Sequence, residues 1–264
     1  MSCLSFFLLL FSITSYADDL SKYEVPENVK EQHEECFYEK SYNYEDALRK
    51  LQLVLIVDKS GSQQASDSHP LNENQTKGIF GNRWTQWDNT FYAAKYLAES
   101  IFEYDADGHV PLVFFGHEAT SVEAKSIGQM LLSFKKEKPT NETTNLVSAL
   151  QLAFEKYSSP SSEDEKILFI VLTDGSPNSG QEPVVEKIIE ENLKKNGIKD
   201  EALNILFVRI GDDPGAVQFL NNLDNSTCVG DVVDTKSDNM VYQMGPKNLI
   251  LNAIFEHLDK EYQE

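Results

Sequence analysis

From residue 51 onward, short continuous apolar runs alternate with stretches whose apolar residues recur at helical spacing. Leu51–Val57, His109–Phe115, Ile167–Thr173 and Ala202–Ile210 are rich in Val, Ile, Leu and Phe. They are too short for helices apolar all round, so they read as strands buried on both faces. Ala119–Ala124 alternates and reads as a short edge strand, and Val229–Val233 as a further strand. Between them, Trp84, Trp87, Phe91, Ala94, Ala98 and Ile101 share one face of a helix from about Arg83 to Tyr104. Ile127–Phe134, a stretch from Thr144 carrying Leu146, Ala149, Leu150, Ala153 and Tyr157, Glu182–Asn196 and Pro214–Leu223 also read as helices. Gly197 supplies a C-cap to the third of these. A last helix, about Asn248 to Tyr262, aligns Leu249, Ile250, Ala253, Ile254 and Leu258. Strand alternating with helix predicts an α/β fold: a doubly wound, mostly parallel sheet with helices on both faces.

The segments outside this alternation set the organisation. A chain of 264 residues is long enough for one sizeable α/β core. Residues 18–50 are polar and Tyr-rich and read as an N-terminal extension with one helix near Val29–Tyr38; the domain then spans 51–262. A polar loop, Gln63–Asn82, is rich in Ser, Asn and Gln. At the N-terminus, Leu4–Thr14 is apolar but too short to span a bilayer comfortably, and Ser15-Tyr16-Ala17 offers small residues for cleavage before Asp18. This is the layout of a secretory signal peptide over 1–17, although no Lys or Arg precedes the apolar run. The expectation is a secreted or extracytoplasmic protein without stable membrane insertion after cleavage; an uncleaved N-terminus would leave it cytoplasmic. Cleavage removes Cys3 and leaves Cys36 and Cys228, which form either one bridge or two separate thiols. Sequons at Asn74, Asn141 and Asn225 are compatible with export.

Charge narrows the partners. Asp and Glu number 43 against 23 Lys and Arg, a net charge of -20. Such a chain repels nucleic acid and anionic lipid, both of which bind chiefly through neutralised phosphate.

The candidate chemistry sits at strand ends. Asp58-Lys59-Ser60-Gly61-Ser62 closes the first strand, placing a carboxylate and two hydroxyls at alternate positions. Asp174 follows another buried strand, with Gly175 behind it. Thr144 opens a helix, where its hydroxyl is equally suited to N-capping. Ligands of doubly wound sheets bind beyond the carboxyl ends of the strands. Hard oxygens of this kind suit Mg²⁺ or Mn²⁺ and not a structural zinc, which takes mainly His and Cys.

Taken in order, Asp58-x-Ser60-x-Ser62, then Thr144 ahead of Leu146, Ala149, Leu150 and Ala153, then Leu172-Thr173-Asp174-Gly175, resemble a von Willebrand factor type A domain. The resemblance runs from about Leu51 to Tyr262 and implies a Rossmann-like, three-layer architecture. It also implies a metal-ion-dependent adhesion site, with hydroxyl oxygens from Ser60, Ser62 and Thr144. Asp58 and Asp174 would bind the ion directly or through water. By the same resemblance the module is not an enzyme, and its Mg²⁺ (or Mn²⁺) takes a Glu or Asp carboxylate from a protein partner. Arg83-Trp84, Tyr104–Gly108, Ile210–Pro214 and Val232–Thr235 are similar to a microbial and fungal subgroup of these domains. Three departures stand out. Thr143 is adjacent to Thr144, so either hydroxyl is a candidate ligand, and the spacing to Leu146 and Ala149 favours Thr144. Gln63 and Gln64 follow Ser62 where many members carry Met, a difference expected to matter little for the metal, and the Gln63–Asn82 loop is longer than usual.

A second reading exists. Asp58-Lys59-Ser60-Gly61-Ser62 also resembles the aspartyl nucleophile segment of phosphate-handling enzymes, which would make the chain a Mg²⁺-dependent phosphatase of the haloacid dehalogenase type with Asp58 as nucleophile. That mechanism wants a further acid on the later loop, where Asn178 stands. Asp212-Asp213 precede Pro214, a pattern that reads as a helix N-cap before it reads as a second metal site.

Overall fold

The alternation of β1 (Leu51–Asp58) shows why the sheet has two buried faces. Leu51, Leu53, Leu55 and Val57 enter one core, while Val54 and Ile56 enter another. Side chains of a strand alternate between faces, so a strand apolar at every position needs cover on both sides. β2 (Val110–Phe115), β4 (Lys166–Thr173) and β5 (Leu203–Arg209) follow the same rule, while β3 (Ala119–Ala124) and β6 (Val233–Ser237) are the edges. The computed structural model describes residues 44–66, 77–104, 108–141, 143–160, 162, 165–196, 202–229 and 232–255. The expected signal peptide, the helix near Val29–Tyr38, Cys36, Asn74 and Leu258 lie outside the described residues.

The strand order is β3-β2-β1-β4-β5-β6. All pairings are parallel except β2 with β3. One face is covered by α1 (Tyr44–Arg49), α2 (Gln86–Tyr104), α3 (Ile127–Lys136), α7 (Asp238–Met244) and α8 (Pro246–Ile254). The other is covered by α4 (Leu146–Tyr157), α5 (Glu182–Asn196) and α6 (Pro214–Asp224). This is the three-layer, mostly parallel architecture the alternation predicts. From β1 the chain moves out to β2 on one side and later crosses to β4 on the other. The topological switch point therefore lies between β1 and β4, where open α/β sheets form their ligand crevice.

Several expected boundaries move, each for a local reason. The packed unit includes α1, ahead of residue 51, because Tyr44 and Leu48 are buried in the first core. The helix expected from Arg83 begins at Gln86. Asp88 accepts from the Thr85 backbone N–H at 2.8 Å and its hydroxyl at 2.7 Å, a capping arrangement that starts the helix there. Trp84, left outside, stacks on Tyr92 with ring centroids 5.5 Å apart and donates from Nε1 to Asn89 Oδ1 at 2.7 Å. The strand expected at Val229–Val233 is displaced to Val233–Ser237. Val229 and Val232 are buried in the turn that feeds it, so their apolarity does not mark a strand. α7 was not expected, and the final helix begins at Pro246 and is described to Ile254.

Asp88 also anchors the end of the long polar loop. Its buried carboxylate accepts from the backbone N–H of Ile79 at 2.5 Å and of Phe80 at 3.4 Å. Phe80 then packs on Trp87, Phe91 and Phe134. Gly78 passes so close that a Cβ there would meet Arg83 O at 2.3 Å. Truncating Asp88 leaves half-buried donors without an acceptor. Asp88→Ala is expected to lower the unfolding free energy by roughly 2–4 kcal/mol, measured by urea denaturation, with Asp88→Asn costing less.

Candidate metal centre

The two strands that flank the switch point each end in a carboxylate. Asp58 closes β1 and is fully buried; Asp174 follows β4 and is 5% exposed. Asp58 Oδ1 accepts from the backbone N–H of Ser60 at 2.8 Å, and Oδ2 accepts from Thr173 Oγ1 at 2.7 Å. Beyond β1 the chain turns through a 3₁₀ segment, Gly61–Gln64. That turn brings Ser60 Oγ within 2.9 Å of Ser62 Oγ, and Ser62 Oγ donates to Asp174 Oδ1 at 2.9 Å. Ser62, Asp174 and Thr144 line one open cleft of about 650 Å³. Its far wall comes from Gly211–Pro214 and from Asp238 and Asn239 of α7. The five residues singled out in the sequence thus converge, with Asp58 and Ser60 beneath the cleft and the other three on its surface.

No family model and no curated protein matches this sequence. Solved structures do match. The chain is similar to BatB of Bacteroides thetaiotaomicron, at 12% identity and a TM-score of 0.53, covering 80% of this chain and 99% of that one. An aerotolerance-related membrane protein of Bacteroides fragilis matches at 14% identity and a TM-score of 0.52, over 80% and 99%. The VWA domain of SpRpn10 matches at 15% identity and a TM-score of 0.50, over 71% and 87%. The fold is that of a von Willebrand factor type A domain.

Within this A-type fold, burial weighs against the charged forms of both crevice carboxylates. Burial pushes the Asp58 carboxyl above its ordinary value, against the hydrogen bonds from Ser60 and Thr173. Asp174 is raised to about 7, first by burial and then by the charge of Asp58, with Ser62 and Gln63 opposing. Two carboxylates in so dry a place do not both ionise cheaply unless a cation sits with them. The donor set fits Mg²⁺ or Mn²⁺: two carboxylates to balance its charge, and hydroxyls of Ser60, Ser62 and Thr144 that add ligands without adding charge. Among the described residues no group of three or more His, Cys, Asp or Glu comes together, so this fit rests on the mixed carboxylate and hydroxyl set.

The local structure also separates alternatives that the sequence left open. Asn145 caps α4, its Oδ1 accepting from the Ser148 backbone N–H at 3.2 Å, so Thr144 is not the cap and its hydroxyl is available to the cleft. Thr143 is exposed and does not line the cleft. Asn145 further ties the edge together, donating to His117 O at 2.9 Å and accepting from Gln181 Nε2 at 2.9 Å. Asp213 caps α6 by accepting from the Ala216 backbone N–H at 2.8 Å, with Pro214 in the first turn. Sequence reasoning missed Asn145, and it missed Thr173 as the partner of Asp58, although a hydroxyl one residue before a strand-end carboxylate was a signal to follow.

The raised Asp174 sets a pH dependence in the metal-free protein. Its folded value of about 7 exceeds the reference 3.8, so the folded state holds this proton more tightly than the unfolded state. The destabilisation is absent at pH 3–4, grows as pH rises toward 7, and is complete above it. In chelator, Asp174→Asn is expected to be more stable than wild type at pH 8. The advantage fades as pH falls toward 4. Paired unfolding curves across pH measure it; a constant difference would show that the carboxyl is not raised.

Proposed function

We propose that this chain is a non-enzymatic protein-binding module, of adhesion or assembly type, whose contact with its partner runs through Mg²⁺ (or Mn²⁺). The observation that carries this reading is the chain Ser60–Ser62–Asp174 set beside Asp58 at the switch point of an A-type fold. Asp58, Ser60, Ser62, Thr144 and Asp174 would hold the ion. The bound ion supplies an electrophilic position that takes a Glu or Asp carboxylate of the partner. The proposed ligand set has two carboxylates, enough to balance a divalent charge and no more, which preserves the ion's attraction for a further one. The cleft beside the site gives a partner's segment room to lie against α7 and the α6 N-terminus.

The phosphatase reading fares worse on geometry. An aspartyl nucleophile must reach a phosphoryl group, whereas Asp58 is fully buried with a hydrogen-bond donor on each oxygen. Export through the 1–17 segment belongs to the proposal as well. Asn141 and Asn225 are exposed, as glycan acceptors must be, and so is Cys228. Among the described residues no helix is long and apolar enough to cross a membrane.

Thermal unfolding of residues 18–264 tests the site. Saturating Mg²⁺ is expected to stabilise wild type by about 2.7 kcal/mol at a hundredfold excess over its dissociation constant, since the ion binds only the folded chain. Asp174→Ala and Ser62→Ala are expected to lose that increment while still unfolding cooperatively. A wild-type curve identical in Mg²⁺, Mn²⁺ and chelator would sink the proposal. A partner captured in Mg²⁺ should be released by chelator and should not be captured by Ser62→Ala.

A further inference from the structure

Gln63 is the residue beside the site that the metal-ligand pattern does not use. It directly follows Ser62 in the 3₁₀ turn, yet its side chain is fully buried, unlike the exposed Gln64. Its backbone N–H donates to Ser60 O at 3.2 Å, so the turn that presents the two serines also fixes the origin of this side chain. Its Oε1 accepts from Thr90 Oγ1 of α2 at 2.7 Å. In this arrangement the acceptor end of the amide faces the Thr90 hydroxyl and the donor end faces away from it. The donor end, Nε2, is buried without a full hydrogen bond. It lies close enough to Asp174 to oppose the rise in that carboxyl's proton affinity. A buried amide donor without a partner is costly and uncommon in folded proteins, and beside a carboxylate it has an acceptor to turn to.

We propose that Gln63 is a positioning residue of the metal site: Thr90 orients its amide, and Nε2 completes a hydrogen bond to the Asp174 carboxylate when a divalent cation is held there. The inference rests on the metal-binding reading above and deepens it. Asp174 has Ser62 Oγ on one oxygen, and the amide from the core side steadies the carboxylate against rotation out of the site. Groups that orient a metal ligand in this way change metal affinity by about 10–100-fold when removed. The link also joins α2 to the site, since Thr90 Oγ1 lies 3.0 Å from Gln86 O, and Gln86 lines the same cleft.

The test is calorimetric titration of Mg²⁺, and separately Mn²⁺, into the 18–264 chain, with thermal unfolding in chelator as the control for folding. Gln63→Met keeps the side-chain length and removes both polar ends. Its dissociation constant is expected to rise tenfold or more, while its midpoint in chelator stays level or rises because the unpartnered donor has gone. Thr90→Val should weaken Mg²⁺ binding by a smaller factor. Gln63→Met with Thr90→Val should bind no more weakly than Gln63→Met alone, since both act through one amide. A residue that merely fills the core would instead lower the midpoint in chelator and leave affinity unchanged. Wild-type affinity in Gln63→Met, or additive losses in the double variant, would overturn the inference while leaving the metal site intact. Failure of the wild-type chain to bind either ion would overturn both.

Discussion

Two carboxylates at the ends of neighbouring parallel strands, out of water and within reach of each other's charge, are the constraint around which this molecule is arranged. A parallel sheet delivers such groups together without further design. β1 and β4 run side by side in register, so whatever follows each emerges at one edge. The sheet also keeps them dry, because helices cover both faces close to the edge. Proximity and dryness together make the pair unfavourable as anions, as the raised Asp174 records. The hydrogen bonds nearby lessen that cost: Ser60 and Thr173 on Asp58, and Ser62 on Asp174. What remains uncompensated is a deficit of positive charge in a cleft open to solvent, and that is the physical case for a divalent cation.

Much of the scaffold was legible because burial on both faces leaves an unambiguous trace. β1, β2, β4 and β5 fall where the continuous apolar runs lie, since no exposed side interrupts them. Of the two edges, β3 falls at Ala119–Ala124 as its alternation predicts, and β6 was harder. β6 carries Asp234 and Lys236, whose ion pair at 2.9 Å makes a charged stretch acceptable in a strand, while the apolar Val229 and Val232 serve the turn before it. α7 begins at Asp238-Asn239, polar residues that give no apolar signal of a helix and that line the cleft.

The site divides in the same way. Asp58, Ser60 and Ser62 are close in sequence, so their alternation was visible, and the rule that ligands bind at strand ends brought in Asp174. Thr173, Asn145 and Gln63 act through partners 115, 36 and 27 residues away. No local pattern reports such contacts. Gln63 shows the difference most plainly: as the residue after a ligand it looked incidental, and only the folded turn reveals that it points inward.

The charge of the whole chain bears on any partner of this site. At -20 the protein presents an acidic surface, and Asp212, Asp213 and Asp238 border the cleft itself. An acidic side chain approaching such a surface is repelled at long range, and only the field of the cation, within a few ångströms, reverses the sign. Screening shortens the repulsion to about 8 Å at physiological ionic strength, so the penalty falls mainly on encounter and less on the docked state. A partner built for this surface therefore carries its one carboxylate on an otherwise neutral or basic face. The cation then does more than add affinity. On the proposed reading it would set the one point of this acidic surface at which a partner's carboxylate can dock, so occupancy of the site would gate association.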